Sequence, residues 1–229
     1  MKLGIIAAMS IEAEQIIAAL DSRTVEKVGG IDYTVGKIGN TELIVAVCGI
    51  GKVFAAMCTQ AMIVRFAPDA VINTGVGGTL TKELTIGDAC ISSAVVQHDM
   101  DTSPLGDPVG LISGINIIHI PADEALGDKI LALCADEGIH AIKGTIASGD
   151  QFIADSGVKE KIISRFGGKV CEMEGASVGQ VCYVNGVPFV IVRAISDDAD
   201  GDAVEDYPAF AKRSADRSAR VVIRLAQSL

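Results

Sequence analysis

Six short clusters that are polar or rich in glycine each come directly after a run of β-branched and aliphatic residues. They are Glu12, Gly49-Ile50-Gly51, Gly75-Val76-Gly77-Gly78, Ser148-Gly149-Asp150, Met173-Glu174 and Ser196-Asp197. In open α/β sheets the ligand crevice lies beyond the carboxyl ends of the strands, so the clusters converge on one site if the runs are parallel strands. Taken singly, each is also an ordinary turn. The glycines do not fit the known phosphate motifs. Gly49-Ile50-Gly51-Lys52 has the ending of a P-loop, but that pattern needs Gly where Ala46 stands and Ser or Thr where Val53 stands. Gly75 to Leu80 lacks the third glycine of a dinucleotide fingerprint, which argues against a Rossmann cofactor. What remains is glycine letting the backbone approach a flat ligand closely.

The elements that must position these clusters follow an α/β alternation of short β-branched runs and longer helical segments. Lys2–Ala8 reads as a first strand, with Ser10 capping a helix to about Leu20 that carries Glu12 and Glu14 in its first turn, where the macrodipole favours negative charge. Val25–Val28, Tyr33–Ile38 and Glu42–Cys48 read as an antiparallel section joined at Gly29-Gly30 and Gly39-Asn40. A helix over Lys52–Phe66 stops at Pro68, and the strand Ala70–Thr74 runs into the glycine cluster. Ala89–His98 is a strand, 99–115 a long loop rich in Gly, Pro and Asp, and Asn116–Ile120 an edge strand. Then come helices at Ala122–Asp136, Ser156–Phe166 and Gly175–Tyr183, strands at Ala141–Ser148, Val170–Glu172 and Pro188–Ile195, an acidic loop at Asp197–Asp206 and a terminal helix. With no repeat or linker, residues 1–229 read as one domain.

The 229 residues carry 19 basic and 29 acidic side chains, a net charge of -10. A polyanion needs a cationic face for counterion release, and no Lys/Arg cluster supplies one, so nucleic acid and anionic membrane surfaces are excluded as partners. With 49% hydrophobic residues, 4% aromatic and no Trp, the core must come from Val, Ile, Leu and Ala, as suits buried parallel strands. No apolar run is long enough for a transmembrane helix, and Met1–Ala8 lacks a charged leader and cleavage pattern, so the expectation is a soluble, cytoplasmic protein. The cysteines at 48, 58, 90, 134, 171 and 182 show no CxxC pairing and are read as small core hydrophobes. No metal or cofactor is called for.

The combination is more specific than its parts. Met9 to Glu12, Gly49-Ile50-Gly51-Lys52, Asn73-Thr74-Gly75, Ser148-Gly149-Asp150-Gln151-Phe152, Glu172-Met173-Glu174 and Arg193-Ala194-Ile195-Ser196-Asp197 together resemble, in order and over nearly the whole chain, the 5'-methylthioadenosine/S-adenosylhomocysteine nucleosidases. The Glu-Met-Glu and Ser-Asp segments are shared with the wider purine nucleoside phosphorylase superfamily. Glu12 and Ser-Gly-Asp-x-Phe point to its hydrolytic branch. The resemblance implies a mixed, partly barrel-like sheet flanked by helices, an adenine nucleoside substrate, and a homodimer in which the 99–115 loop completes the partner's pocket. Asp197 matches the acid that protonates N7 of the leaving adenine, and Glu12 the base that activates water. Two carboxylates in separated environments are the general answer to such opposed demands. Glu174 matches the ribose-hydroxyl ligand and Met173 an apolar contact to the sugar. Phe152 matches the ring stacked on adenine and the Ile153 backbone the reader of its edge. Gly78 matches a backbone contact to the nucleoside, and Ser196 and Arg193 residues that hold the acid and the site's electrostatics. Met9, Ile50 and Tyr207 complete the expected lining.

Some positions depart from the family pattern. Thr79 stands where a second glycine is frequent, Tyr207 where Phe is expected, and Thr102, Leu105 and Ser113 where bulkier apolar residues are common. The preference among methylthio, homocysteinyl and 5'-deoxy groups is therefore left open. A phosphorylase is the nearest alternative, but Ala7–Gln15 holds two Glu and no cation, which disfavours phosphate. A non-catalytic nucleotide sensor would have no use for the three carboxylates.

Overall fold

The computed structural model describes residues 1–197 and 207–229, except for the side chains of 197 and 207–211. The Asp197 and Tyr207 side chains, and the acidic loop beyond Asp197, lie outside the described residues. The chain begins with β1 (Lys2–Ala7), α1 (Ser10–Ala18), β2 (Asp21–Val28), β3 (Ile31–Ile38) and β4 (Thr41–Val47). Next come α2 (Lys52–Phe66), β5 (Ala70–Thr79), β6 (Ala89–Gln97), β7 (Ile120–Pro121) and α3 (Glu124–Asp136). The last elements are β8 (Ala141–Ser148), α4 (Ser156–Phe166), β9 (Gly168–Glu172), α5 (Gly175–Asn185), β10 (Phe189–Asp197) and α6 (Tyr207–Ser228).

Among the described residues, ten strands join one mixed sheet in the order β10-β6-β8-β9-β5-β1-β4-β3-β2, with β7 on β6. β10 also pairs with β5, so β10, β6, β8, β9 and β5 close into a five-strand barrel. The whole sheet contains two parallel groups: β4, β1, β5 and β10, and β6, β8 and β9. They meet antiparallel along β10 and β6, and again where the carboxyl ends of β5 and β9 cross, Gly78 opposite Cys171. That crossing gathers the carboxyl ends of both groups.

Successive strand residues face opposite sides. Ile5, Ile72 and Val190 join a core under α1, α3 and α6, whereas Ile6, Val71 and Ile191 join one under α2 and α5. Because both faces are covered, these strands read as unbroken apolar runs. In α5, Gly179 lets the helix settle on the sheet: a Cβ there would lie 2.7 Å from Val95 and 2.8 Å from Phe189. The 99–115 loop contains a 3-10 turn over Ser103–Leu105. The edge strand expected at Asn116–Ile120 is not formed, because Asn116 takes a left-handed φ of 55° in a tight turn. Only an Ile112–Ile117 bridge and the two-residue β7 remain there.

Candidate active site

The turn from β1 into α1 places Glu12. Ser10 is not the cap expected from the sequence; Met9 occupies the cap position, and Glu12 in the first turn reaches back to it. Its Oε2 accepts the amides of Ala8 (3.0 Å) and Met9 (2.9 Å), and its Oε1 accepts the Val76 amide of β5 (3.0 Å). Gly75 makes room for this carboxylate, since a Cβ there would lie 2.6 Å from Glu12 Oε1 and 3.1 Å from Arg193 Nη1.

Arg193, in β10 and 1% exposed, is the buried cation around which the acids gather. Its Nε and Nη2 both donate to Glu172 Oε2, and Nη2 also donates to Asn73 Oδ1 (2.6 Å). Asn73 is fixed in turn by its bond to the Ile6 carbonyl, 2.9 Å. Glu174 lies at the start of α5 with Oε1 on the Gly51 amide (2.9 Å) and Oε2 3.5 Å from Arg193. Glu172 ends β9 and accepts from Ser148 Oγ and from the Glu174 and Gly175 amides as well as from Arg193. Sequence reasoning assigned it no role. Glu172 and Glu174 look equivalent in Glu-Met-Glu, and only the strand-to-helix switch between them shows which is tied down inside.

Three carboxylates thus share one guanidinium, and the surplus negative charge is out of water. Burial pushes the Glu12 carboxyl above the ordinary range, against the Arg193 charge and three amides that pull it down. Burial and then the neighbouring Glu172 push Glu174 up to about 7. Such a cluster holds a proton readily and is poised to stabilise positive charge arising beside it.

A cleft of about 660 Å³, open to solvent, lies against this cluster at the carboxyl ends of the strands. Met9, Glu12, Ile50 and Gly78 line it from the first half of the chain. Phe152, Ile153, Met173, Glu174 and Ser196 line it from the second. Phe152 stands at the rim, 65% exposed, while Ile153 is anchored in a small core with Leu80 and Phe166. Arg193 does not line the cleft and acts from behind it. The Asp197 backbone is in register with Gly78 at the end of β10. Thr79 is buried, and its hydroxyl donates to the Thr81 carbonyl (2.9 Å), so its departure from glycine leaves the cleft unchanged. His119 and His140 bond to the carbonyls of Phe166 and Glu83, away from the cleft. Among the described residues, no group of three or more His, Cys, Asp or Glu side chains could hold a metal.

A five-strand barrel with a carboxylate-lined cleft at its strand ends is the architecture of the phosphorylase superfamily, whose sequence model matches residues 2–227. A 5'-methylthioadenosine/S-adenosylhomocysteine nucleosidase of Shewanella putrefaciens is 37% identical over 230 residues, covering 100% of both chains. A mutant Helicobacter pylori nucleosidase with 5'-methylthioadenosine in its active site superposes with a TM-score of 0.94 at 36% identity, covering 100% of this chain and 99% of that one. A futalosine hydrolase of the same organism gives a TM-score of 0.94 at 37% identity over 100% and 98% of the two chains. Within the superfamily, the chain belongs to the 5'-methylthioadenosine/S-adenosylhomocysteine nucleosidases.

Proposed function

We propose that the cleft binds an adenine nucleoside carrying a 5'-thio substituent and that water displaces the base. The enzyme is an N-glycosyl hydrolase acting on 5'-methylthioadenosine and S-adenosylhomocysteine. Adenine lies between Phe152 and the Ile153 backbone, near Gly78; the ribose hydroxyls meet Glu174, and Met9, Ile50 and Met173 supply apolar contact. As the C1'–N9 bond breaks, its electron pair leaves with adenine and Asp197, held by Ser196, delivers a proton to N7. Glu12 takes a proton from the water that adds to C1'. The sugar is cationic in between, where Glu12 and Glu174 favour it.

The observation that carries this reading is the charge balance behind the cleft. Its described lining holds Glu12, Glu172 and Glu174 but no Lys or Arg, and Arg193 is engaged by Glu172 and Asn73. Phosphate would enter an anionic site with no cation free to receive it, whereas neutral water meets no such barrier. The test is adenine release from 5'-methylthioadenosine with and without phosphate. Equal release with a free sugar product is expected, and phosphate-dependent release of a sugar phosphate would overturn hydrolysis.

The same reading includes a second copy of the chain. Val53, Phe54 and Met57 on α2, Tyr183 and Val184 on α5, and Ile50 beside the cleft are exposed and apolar. Exposed apolar side chains on two helices that pack side by side mark an association surface. In a homodimer covering it, the 99–115 loop, with Leu105 84% exposed, closes the 5' end of the neighbour's cleft. A monomeric mass by light scattering would refute that arrangement. No described helix is long and apolar enough to cross a membrane. The six buried free cysteines suit the reducing cytoplasm in which we place the enzyme.

A further inference from the structure

Two sequence clusters are only partly accounted for by this chemistry: Lys52 after the glycines, and Asp150 before Phe152. The structure joins them. Gly51 is the cap residue of α2 and has no side chain to satisfy the first amides of the helix. Two carboxylates from distant elements do so instead. The Gly51 amide donates to Glu174 Oε1 (2.9 Å), and the next amide, of Lys52, donates to Asp150 Oδ1 (2.8 Å). Consecutive peptide N–H groups therefore hold the carboxylate assigned to ribose and the residue that begins the segment assigned to adenine.

A third acid closes the circuit. Asp99, at the root of the 99–115 loop, accepts the Asp150 amide on Oδ2 (3.0 Å) and the Lys52 ammonium on Oδ1 (2.7 Å). Lys52 Nζ also donates to Gln97 Oε1 (3.1 Å), and the Lys52 carbonyl accepts Ser177 Oγ of α5 (2.7 Å). A lysine in the first turn of a helix is on the unfavourable side of the macrodipole, and Asp99 and Asp150 offset this. Burial alone would raise the Asp99 carboxyl, yet the hydrogen bonds from Lys52 and the Asp150 amide hold it below the usual range. Both side chains of the ion pair are 19% exposed, so solvent screens the pair less than an ordinary surface bridge.

The ring fits too tightly for its members to move independently. Gly51 has φ +101°, and a Cβ there would sit 3.0 Å from Asp150 Oδ1. A Cβ on Gly149 would sit 2.4 Å from His98 Nε2.

We propose that Asp150, locked in a ring with Lys52 and Asp99, is a positioning residue that sets the adenine-binding segment 151–153 at a fixed distance from the ribose ligand Glu174. The inference rests on the substrate contacts proposed above. It assigns the pair Lys52–Asp99 to holding the ring closed at the root of the loop, not to contact with substrate.

The test compares Asp150→Ala, Asp150→Asn and Lys52→Met with wild type, using 5'-methylthioadenosine turnover and thermal melting. Asn keeps an oxygen for the Lys52 amide; Ala does not. Displacing a bound group by about 1 Å costs on the order of a hundredfold in rate. For Asp150→Ala, kcat/KM is expected to fall by about 10- to 100-fold with KM raised at least about fivefold, on that scale of misplacement. Asp150→Asn should stay within about threefold of wild type, as expected when the acceptor is retained. Lys52→Met should change KM in the same direction but less, because it opens the ring without removing the Asp150 cap. A purely structural cap would instead lower the melting temperature and leave the KM of the folded fraction alone. Wild-type kinetics in Asp150→Ala, or equal losses in Ala and Asn, would overturn the proposal while wild type remains active. A wild type that releases no adenine would overturn the functional reading, and this proposal with it.

Discussion

Substituting Gly75 by alanine tests the placement of Glu12 without touching its chemistry. The added methyl would sit 2.6 Å from Glu12 Oε1 and 3.1 Å from its Cδ, whereas ordinary contact begins near 3.4 Å. The carboxylate must therefore retreat by about 0.8 Å. It has little room to do so, because Oε1 holds the Val76 amide and Oε2 holds those of Ala8 and Met9. Gly75 is not among the glycines with positive φ, so alanine suits the backbone and the strain falls on the side chains. Losing the Val76 bond to a charged acceptor costs about 1.5 to 3 kcal/mol. A misplacement of this size near reacting atoms costs about a hundredfold in rate, or about 2.7 kcal/mol of barrier. On the proposed role of Glu12 in activating water, the expected outcome is a folded enzyme whose kcat falls about 30- to 100-fold with KM little changed. Continuous adenine release from 5'-methylthioadenosine measures both parameters, and melting confirms the fold. A kcat within about threefold of wild type would refute the argument, because the base would then tolerate a displacement that general-base geometry forbids.

Glu12→Gln should lower kcat by about a thousandfold, within the range for removing a general base. It should also destabilise the fold by about 1 to 3 kcal/mol, because an amide cannot present two acceptor oxygens to three backbone donors; retained hydrolysis would return Glu12 to a helix-end role. Asp197→Asn should abolish turnover and still bind a substrate analogue, and an unchanged rate would remove Asp197 as the acid. The contribution of Glu174 to the stability of the ligand-free protein should fall as pH rises. Below about pH 4.5 Glu174 is protonated in both states, and between there and its folded value of about 7 only the unfolded chain gives up the proton. The loss across that window is on the order of 2 to 3 kcal/mol. Melting temperatures from pH 5 to 7.5 should show it, and Glu174→Gln should flatten the slope; equal slopes in the two proteins would sink this assignment.

Much of the architecture was legible where burial is two-sided or caps are local. Ala141–Ser148, Ser156–Phe166 and Lys52–Phe66 have the ends read from sequence, because apolar runs there break at ordinary stop residues. β5 runs on through Gly75-Val76-Gly77-Gly78 to Thr79, although glycine weakens strands. The reason is tertiary: Glu12 presses on Gly75, and Val170 would lie 2.7 Å from a Cβ at Gly77. β2 begins at Asp21, four residues before the strand read at Val25, because its exposed polar stretch shows no alternation. Glu12 and Glu174 were visible as acids after strands. Glu172 as the tether of Arg193, and Asp150 as the cap of a helix begun 98 residues earlier, were not, since such partners depend on which strands adjoin.

Closing β10 onto β5 also decides what the sheet shows to other molecules. Among the described residues, β2 is the one long strand with a neighbour on a single side. That border carries Asp21, Arg23, Glu26 and Lys27, is kinked by an irregular register between Asp21 and Thr24, and has Glu26 tied back to Arg65. An incoming chain would meet mixed charges on a bent ribbon, so ladder-by-ladder growth into fibrils finds no template.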